Sequence, residues 1–254
     1  MNYARLQILG ACIALFIAPQ AVSVAAPSAC QNSYFQDQRP DITNEKLARG
    51  TVELCSSHFA TYYSGVSRTP LWSAEYLTPG RLAESKGLPR SDDFRADMRL
   101  PKDMRSTPED YKKSLDRGHL APSADMPNPS AVSQSFLMSN MIPQDPQLNR
   151  VLWSSLEEAT RSKARHQPLY VITGALFLGQ QLRRINGRVL VPSHVYKILY
   201  DPKENAAAAY LVENAPDKRH KEISLAEIEE LAGVRFLPGV TNVSVLKLPR
   251  PRYR

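Results

Sequence analysis

Apolar residues run or alternate over positions 71–77, 169–177, 189–200 and 206–212, and Pro, Asn, Asp or Gly bounds each run. This pattern predicts strands, and we read the four as members of a central antiparallel sheet. Over 149–165 the period changes. Leu152, Trp153 and Leu156 fall on one helical stripe that no Gly or Pro interrupts, which predicts an amphipathic helix. A second helix should start at Ser224 as N-cap, with Glu227 three residues on as its capping-box partner, and stop at Gly233. Positions 79–113 are rich in Arg, Asp, Pro and Ser without apolar periodicity, and predict a long loop over the sheet. Loops of that length tend to carry function. The expected fold class is α+β: a mixed α/β arrangement around an antiparallel sheet. No repeat or Gly/Ser linker divides residues 26–254, which we read as a single domain.

The first 25 residues follow a different pattern. A short n-region with one positive charge, Arg5, precedes a largely apolar stretch that ends in Ser23-Val24-Ala25-Ala26. This predicts a signal peptide cleaved after Ala25 or Ala26, and a periplasmic or secreted protein. A membrane anchor is the alternative, but Pro19 and Gln20 break the apolar run before the roughly 20 residues that a spanning helix needs. We therefore expect no stable membrane association after cleavage. Loss of residues 1–25 leaves 31 basic against 25 acidic residues, a net charge of +6. Such a charge biases a protein toward anionic partners. Two cysteines remain, Cys30 and Cys55. In an exported chain an even pair suggests a disulfide tying residues 26–65 down, with two free thiols as the alternative.

The candidate chemistry lies in Asp116-Arg117-Gly118-His119-Leu120-Ala121-Pro122, Ser139-Asn140-Met141-Ile142-Pro143-Gln144 and Leu148-Asn149-Arg150-Val151-Leu152-Trp153. Phosphodiester hydrolysis needs a deprotonated water, and an imidazole such as His119 has the pKa to take that proton near neutrality. Asn149 offers the hard oxygen that Mg²⁺ accepts while it keeps several waters. Glu157 is two helical turns, about 12 Å, from Asn149 and should reach a metal through water rather than directly. Arg161, four residues after Glu157, has two readings: an ion pair with Glu157, or a contact to a substrate phosphate. Arg90 is the loop arginine best placed in sequence to stabilise charge on phosphorus, in competition with Arg68, Arg95 and Arg99. Asp116 and Arg117 flank the base in supporting roles. Gly118 permits close backbone approach, and Asn140 can brace the His strand.

These residues resemble the DNA/RNA non-specific endonucleases, the family of mitochondrial endonuclease G and secreted bacterial nucleases. The resemblance rests on Asp116-Arg117-Gly118-His119, the Ser139 to Gln144 segment, Asn149 with Trp153, and Glu157 with Arg161. It extends more weakly through Val171 to Phe177, Val191 to Lys197 and the helix from Glu227. It implies a ββα-metal (His-Me finger) site that uses one Mg²⁺, or Mn²⁺ or another divalent cation, to cleave DNA and RNA into 5′-phosphate and 3′-hydroxyl ends. By that similarity His119 is the general base, Asn149 the direct metal ligand, Glu157 a water-mediated metal partner and Arg90 the phosphate-assisting arginine. The spacing from Arg90 to Phe94 and Asp97 departs from the family pattern. Two other readings stay open: a catalytically silent nucleic-acid-binding protein of this fold, and a metallophosphoesterase for small phosphate esters. Homodimerisation and capture by an inhibitor protein also stay open.

Overall fold

The computed structural model describes residues 28–111, 115–216 and 219–252. The expected signal peptide, residues 1–25, lies outside them. The sheet is built from β1 (Thr51–Cys55), β2 (Ala60–Ser64) and β3 (Thr69–Leu77), and resumes later in the chain. Between come β4 (Asp116–His119) and β5 (Met141–Gln144), which pair only with each other, antiparallel, with His119 opposite Met141. The sheet continues in β6 (Leu169–Leu176), β7 (His194–Asp201), β8 (Ala206–Glu213) and β9 (Lys221–Ser224). Its order is β9-β8-β7-β6-β3-β2-β1, antiparallel throughout, and a short C-terminal strand, Ser244–Val245, adds in parallel to β8.

Both faces of the sheet are covered, because alternate side chains point to opposite sides. Val171, Ala175, Val195 and Leu199 pack beneath Leu152, Trp153 and Leu156 of the helical segment. On the other face Ile172, Tyr196 and Ile198 pack against Tyr34 of the N-terminal segment and Ile228 of α4 (Leu225–Ala232). That helix starts with the Ser224–Glu227 capping box and ends at Gly233, whose φ of +62° is the left-handed conformation that glycine adopts at least cost. Sheet, helix and cap follow the sequence pattern closely.

Two expectations are corrected. Positions 79–113 are not wholly loop: α1 (Pro79–Glu84) forms because the Thr78 hydroxyl accepts from Arg81 N–H at 3.1 Å and Pro79 occupies the first turn. A cap followed by Pro was a legible start signal. Positions 189–200 are not one strand either. Val189–Leu190 pairs with Arg184–Ile185, and β7 begins only at His194, after Pro192. A further helix, α2 (Pro129–Ser135), begins in the same way, with Asn128 as its cap.

Cys30 and Cys55 form a disulfide with Cα atoms 5.0 Å apart, which holds buried Tyr34 and its segment against the sheet. The bridge closes 25 residues of sequence. In a chain-entropy estimate it contributes about 3 kcal/mol. Replacing both cysteines by serine should lower the unfolding free energy by about that amount in urea titration.

Candidate active site

The Ser154–Ala164 helix, α3, is preceded by a π turn, Leu148–Trp153, so the predicted α-helix is widened over its first residues. Such π segments often occur at functional positions. Asp145 caps the entry by accepting from Gln147 N–H and Leu148 N–H, so Asn149 stands inside the helix with its side chain free of capping. Its Nδ2 donates to Asp116 Oδ2 at 3.0 Å, and Arg150 donates to both Asp116 oxygens at 2.7 and 2.8 Å. The start of the His strand is thereby joined to the start of the helix. With Nδ2 taken by Asp116, the carbonyl oxygen of Asn149 is the atom left for a cation.

β4 positions its side chains by alternation. Arg117 and His119 project from one face, while Gly118 lies against Gln144: a Cβ on Gly118 would stand 2.0 Å from Gln144 Oε1. Glycine is therefore required here by space. His119 is 8% exposed and sits edge-on to Phe136, ring centroids 4.9 Å apart, and tilted against Phe94 at 5.8 Å. Arg90 lies over Phe136 and Arg117 over Phe94, so two guanidinium groups and two aromatic rings enclose the imidazole. Asn140 braces the chain that follows. Its Oδ1 accepts from Ala121 N–H and Ser73 Oγ, and its Nδ2 donates to the Ala121 and Ser135 carbonyls.

A cleft of about 390 Å³ is lined by Arg90, Phe94, Asp116, Arg117, His119, Asn149, Arg150, Ser154 and Glu157, among others. The structure thus brings together six of the predicted site residues, Arg90, Asp116, Arg117, His119, Asn149 and Glu157, from three separate stretches of the chain. Arg90 lines the cleft, with its Nε on exposed Asp92, whereas Arg95, held by Asp93 and the Ser133 carbonyl, and Arg99, held by Asp97 and the Cys55 carbonyl, do not. Arg68 lies in the turn before β3 and does not line the cleft. Arg161 pairs neither with Glu157 nor with the cleft: its guanidinium donates to Asp125 and Glu158, at 2.9 and 3.1 Å.

The sequence reading missed the charged layer beneath the site. Buried Glu75 binds Arg81 at 2.8 Å, Arg81 also donates to the Asp125 carbonyl, and Asp125 binds Arg161. Buried Lys197 donates to Thr173 at 2.6 Å and stands 5.4 Å from the Trp153 ring. The signal was present: Glu75 and Lys197 each place a charge inside an otherwise apolar strand.

The electrostatics separate the site residues. Burial and then the charge of Arg90, against a smaller opposing effect of Asp92, lower the His119 pKa to about 3. Burial raises the Glu157 pKa, opposed by Lys197 and Arg161. Burial also acts to raise that of Asp116, but hydrogen bonds from Arg150 and Asn149 and the charges of Arg150 and Arg117 override it and hold the carboxyl low. The cleft therefore presents a neutral imidazole beside an ionised clamp.

Comparison with known proteins identifies the family. Residues 40–242 match the family model described as DNA/RNA non-specific endonuclease. The chain belongs to that family. It is 33% identical over 206 residues to nuclease C1 of Cunninghamella echinulata var. echinulata, covering 72% of this chain and 81% of that one. It is 32% identical to a nuclease of a Nostoc species, covering 78% of each. To human mitochondrial endonuclease G it is 33% identical, over 70% of this chain and 67% of that one. A crystal structure of the EndoG/EndoGI complex superposes with a TM-score of 0.69 at 25% identity, covering 74% of this chain and 86% of that chain. The protein is a hydrolytic endonuclease.

His119 also links site and stability. Between about pH 3 and 6.5 the unfolded imidazole binds a proton that the folded one refuses, so unfolding takes up a proton and stability falls as pH falls through that window. The slope approaches about 1.4 kcal/mol per pH unit in its middle. Thermal unfolding of wild type and His119→Asn from pH 4 to 7 should show the wild type losing stability faster on acidification. Equal pH dependence in the two proteins would remove the buried neutral imidazole from this account.

Proposed function

We propose that this protein is an exported, Mg²⁺-dependent endonuclease that hydrolyses DNA and RNA without sequence preference, leaving 5′-phosphate and 3′-hydroxyl ends. The observation that carries the proposal is the placement of His119, Asn149 and Glu157 around one open cleft whose basic walls are Arg90, Arg117 and Arg150. The signal-like pattern of residues 1–25 and the disulfide together support export.

The residues fit a hard cation. Among the described residues no three His, Cys, Asp or Glu side chains cluster as metal ligands. A Zn²⁺-type cage is thus not offered there, whereas Mg²⁺ commonly binds through one or two protein oxygens and keeps its waters. Asn149 would hold it directly and Glu157 through water. Bound there, the ion would supply Lewis-acid stabilisation of the phosphate and the departing 3′ oxygen.

The chain's own residues supply the rest. His119, neutral over the physiological range, takes a proton from the attacking water. Burial and the charge of Arg90 lower the His119 pKa, and the negative charge of a phosphodiester beside Arg90 and the ring acts in the opposite direction, toward the range of an efficient base. Arg90 and Arg117, stacked on aromatic rings, keep their guanidinium groups oriented toward the phosphate and stabilise the charge that builds on its oxygens. No side chain is needed to read bases, so cleavage follows backbone geometry.

His119→Ala should lower kcat for duplex DNA by about 10²- to 10⁴-fold and leave duplex binding in EDTA within about twofold. End-labelled plasmid assays with DNA, RNA and a chromogenic phosphomonoester check rate and substrate class together. Near-wild-type turnover, or preferred hydrolysis of the monoester, would contradict the proposal.

A further inference from the structure

Beyond the cleft a second groove, of about 570 Å³, continues along the outer side of α3 and shares Arg150 and Ser154 with it. One wall is a helical stripe, Val151, Ser154, Ser155, Glu158, Ala159 and Ser162, spaced by three and four residues and mostly small. The other wall is Pro249, Arg250 and Arg252. This C-terminal segment lies past residue 242, where the match to the family model ends.

The segment is held in place by its own packing. Ser244–Val245 pairs with β8, Leu246 N–H donates to the Ala207 carbonyl, and Leu246 and Leu248 are buried in the same core as Leu152 and Trp153. Tyr210 Oη donates to the Pro249 carbonyl. Residues 250–252 are therefore delivered onto the helix. Pro249 and Pro251 fix φ and favour extended neighbours, which spaces the two arginines by about 6 Å along the segment. That matches successive phosphates on a strand. Both arginines are exposed, and neither has an ion-pair partner among the described residues, while Glu158, the carboxylate in the groove, is already bound by Arg161 and Arg165. Among the described residues the geometry presents two cations without an ion-pair partner at phosphate spacing, and the carboxylate that lines the groove is held by Arg161 and Arg165.

We propose that Arg250, Arg252 and the outer stripe of α3 form an extension of the substrate site that grips the sugar-phosphate backbone to one side of the scissile bond. This deepens the nuclease reading and rests on it. The groove carries no base-reading pattern, so the grip is one of charge and spacing. From Ser154 to Ser162 the helix rises about 12 Å, which corresponds to roughly three to four base-pair steps of duplex.

The test uses the full chain, its Arg250→Ala/Arg252→Ala variant and the Lys/Lys variant. Anisotropy with a labelled random duplex of about 20 base pairs, in EDTA across a KCl series, reads binding without hydrolysis. The Ala/Ala variant should bind about tenfold more weakly at low salt, with a salt slope smaller by about 2, and Lys/Lys should restore both. On long duplex its KM should rise with kcat held, and hydrolysis of a small chromogenic thymidine phosphodiester should not share the loss. Unchanged affinity and salt slope would overturn the extension. So would equal losses of kcat on duplex and small diester, or an arginine dependence seen only with polyglutamate, which would assign the groove to an acidic polypeptide. Because the binding arm contains no active metal, a wild type that grips duplex through these arginines yet cleaves nothing would refute the nuclease reading alone.

Discussion

The site depends on one carboxylate. Asp116 opens the strand that ends in His119, and its two oxygens hold Asn149 and Arg150 of the helix that follows much later in the chain. Without this clamp the base and the candidate metal ligand would belong to separate elements joined only by packing. Hydrogen bonds to a charged group contribute about 1.5–3 kcal/mol when shielded. Arg150 is largely exposed and its share is small. The value of the clamp is orientational: with Nδ2 bound, the Asn149 carbonyl has a defined direction. Hydrogen bonds and neighbouring positive charge keep Asp116 ionised, so the clamp persists across the neutral range.

Beneath the clamp the protein buries charge. Glu75, Arg81, Asp125 and Arg161 are linked by ion pairs and hydrogen bonds beneath the site, and Lys197, bonded to Thr173, adds a buried charge to the same layer. Removing one partner of such a buried pair typically costs about 3–5 kcal/mol, because the other is left uncompensated. The layer carries a second effect. Lys197 and Arg161 oppose the rise that burial imposes on the Glu157 pKa, so cations that never line the cleft help its carboxylate stay ionised. This accounts for Arg161, whose nearness to Glu157 in sequence suggested a direct pair: the guanidinium is drawn to Asp125, and it acts on Glu157 by charge at a distance.

Much of this was legible in the sequence, and for identifiable reasons. Apolar runs bounded by turn residues marked β3, β6 and β8, because both faces of these strands are buried. The Ser224 capping box and Gly233 marked α4, because both act within one turn. Asp116, His119, Asn149 and Glu157 were found because their residue types are rare in that order. What escaped depends on contacts between distant segments. The Asp116–Asn149 bond spans 33 positions, the Glu75–Lys197 layer joins strands far apart in sequence, and the groove wall of Arg250 and Arg252 exists only because Leu246 and Leu248 are buried under α3. The π turn was equally invisible, since 148–153 carries an ordinary helical pattern.

The central claim is that Asp116 creates the cation site by orienting Asn149, and a double-mutant cycle on Mg²⁺ affinity tests it most directly. Calorimetry of wild type, Asp116→Ala, Asn149→Ala and the double variant, without nucleic acid, gives the coupling. The account predicts that each single variant weakens Mg²⁺ binding and that the double variant is little worse than either, a coupling of about 1 kcal/mol or more. Losses that simply add, or an Asn149→Ala protein that binds Mg²⁺ as tightly as wild type, would contradict it.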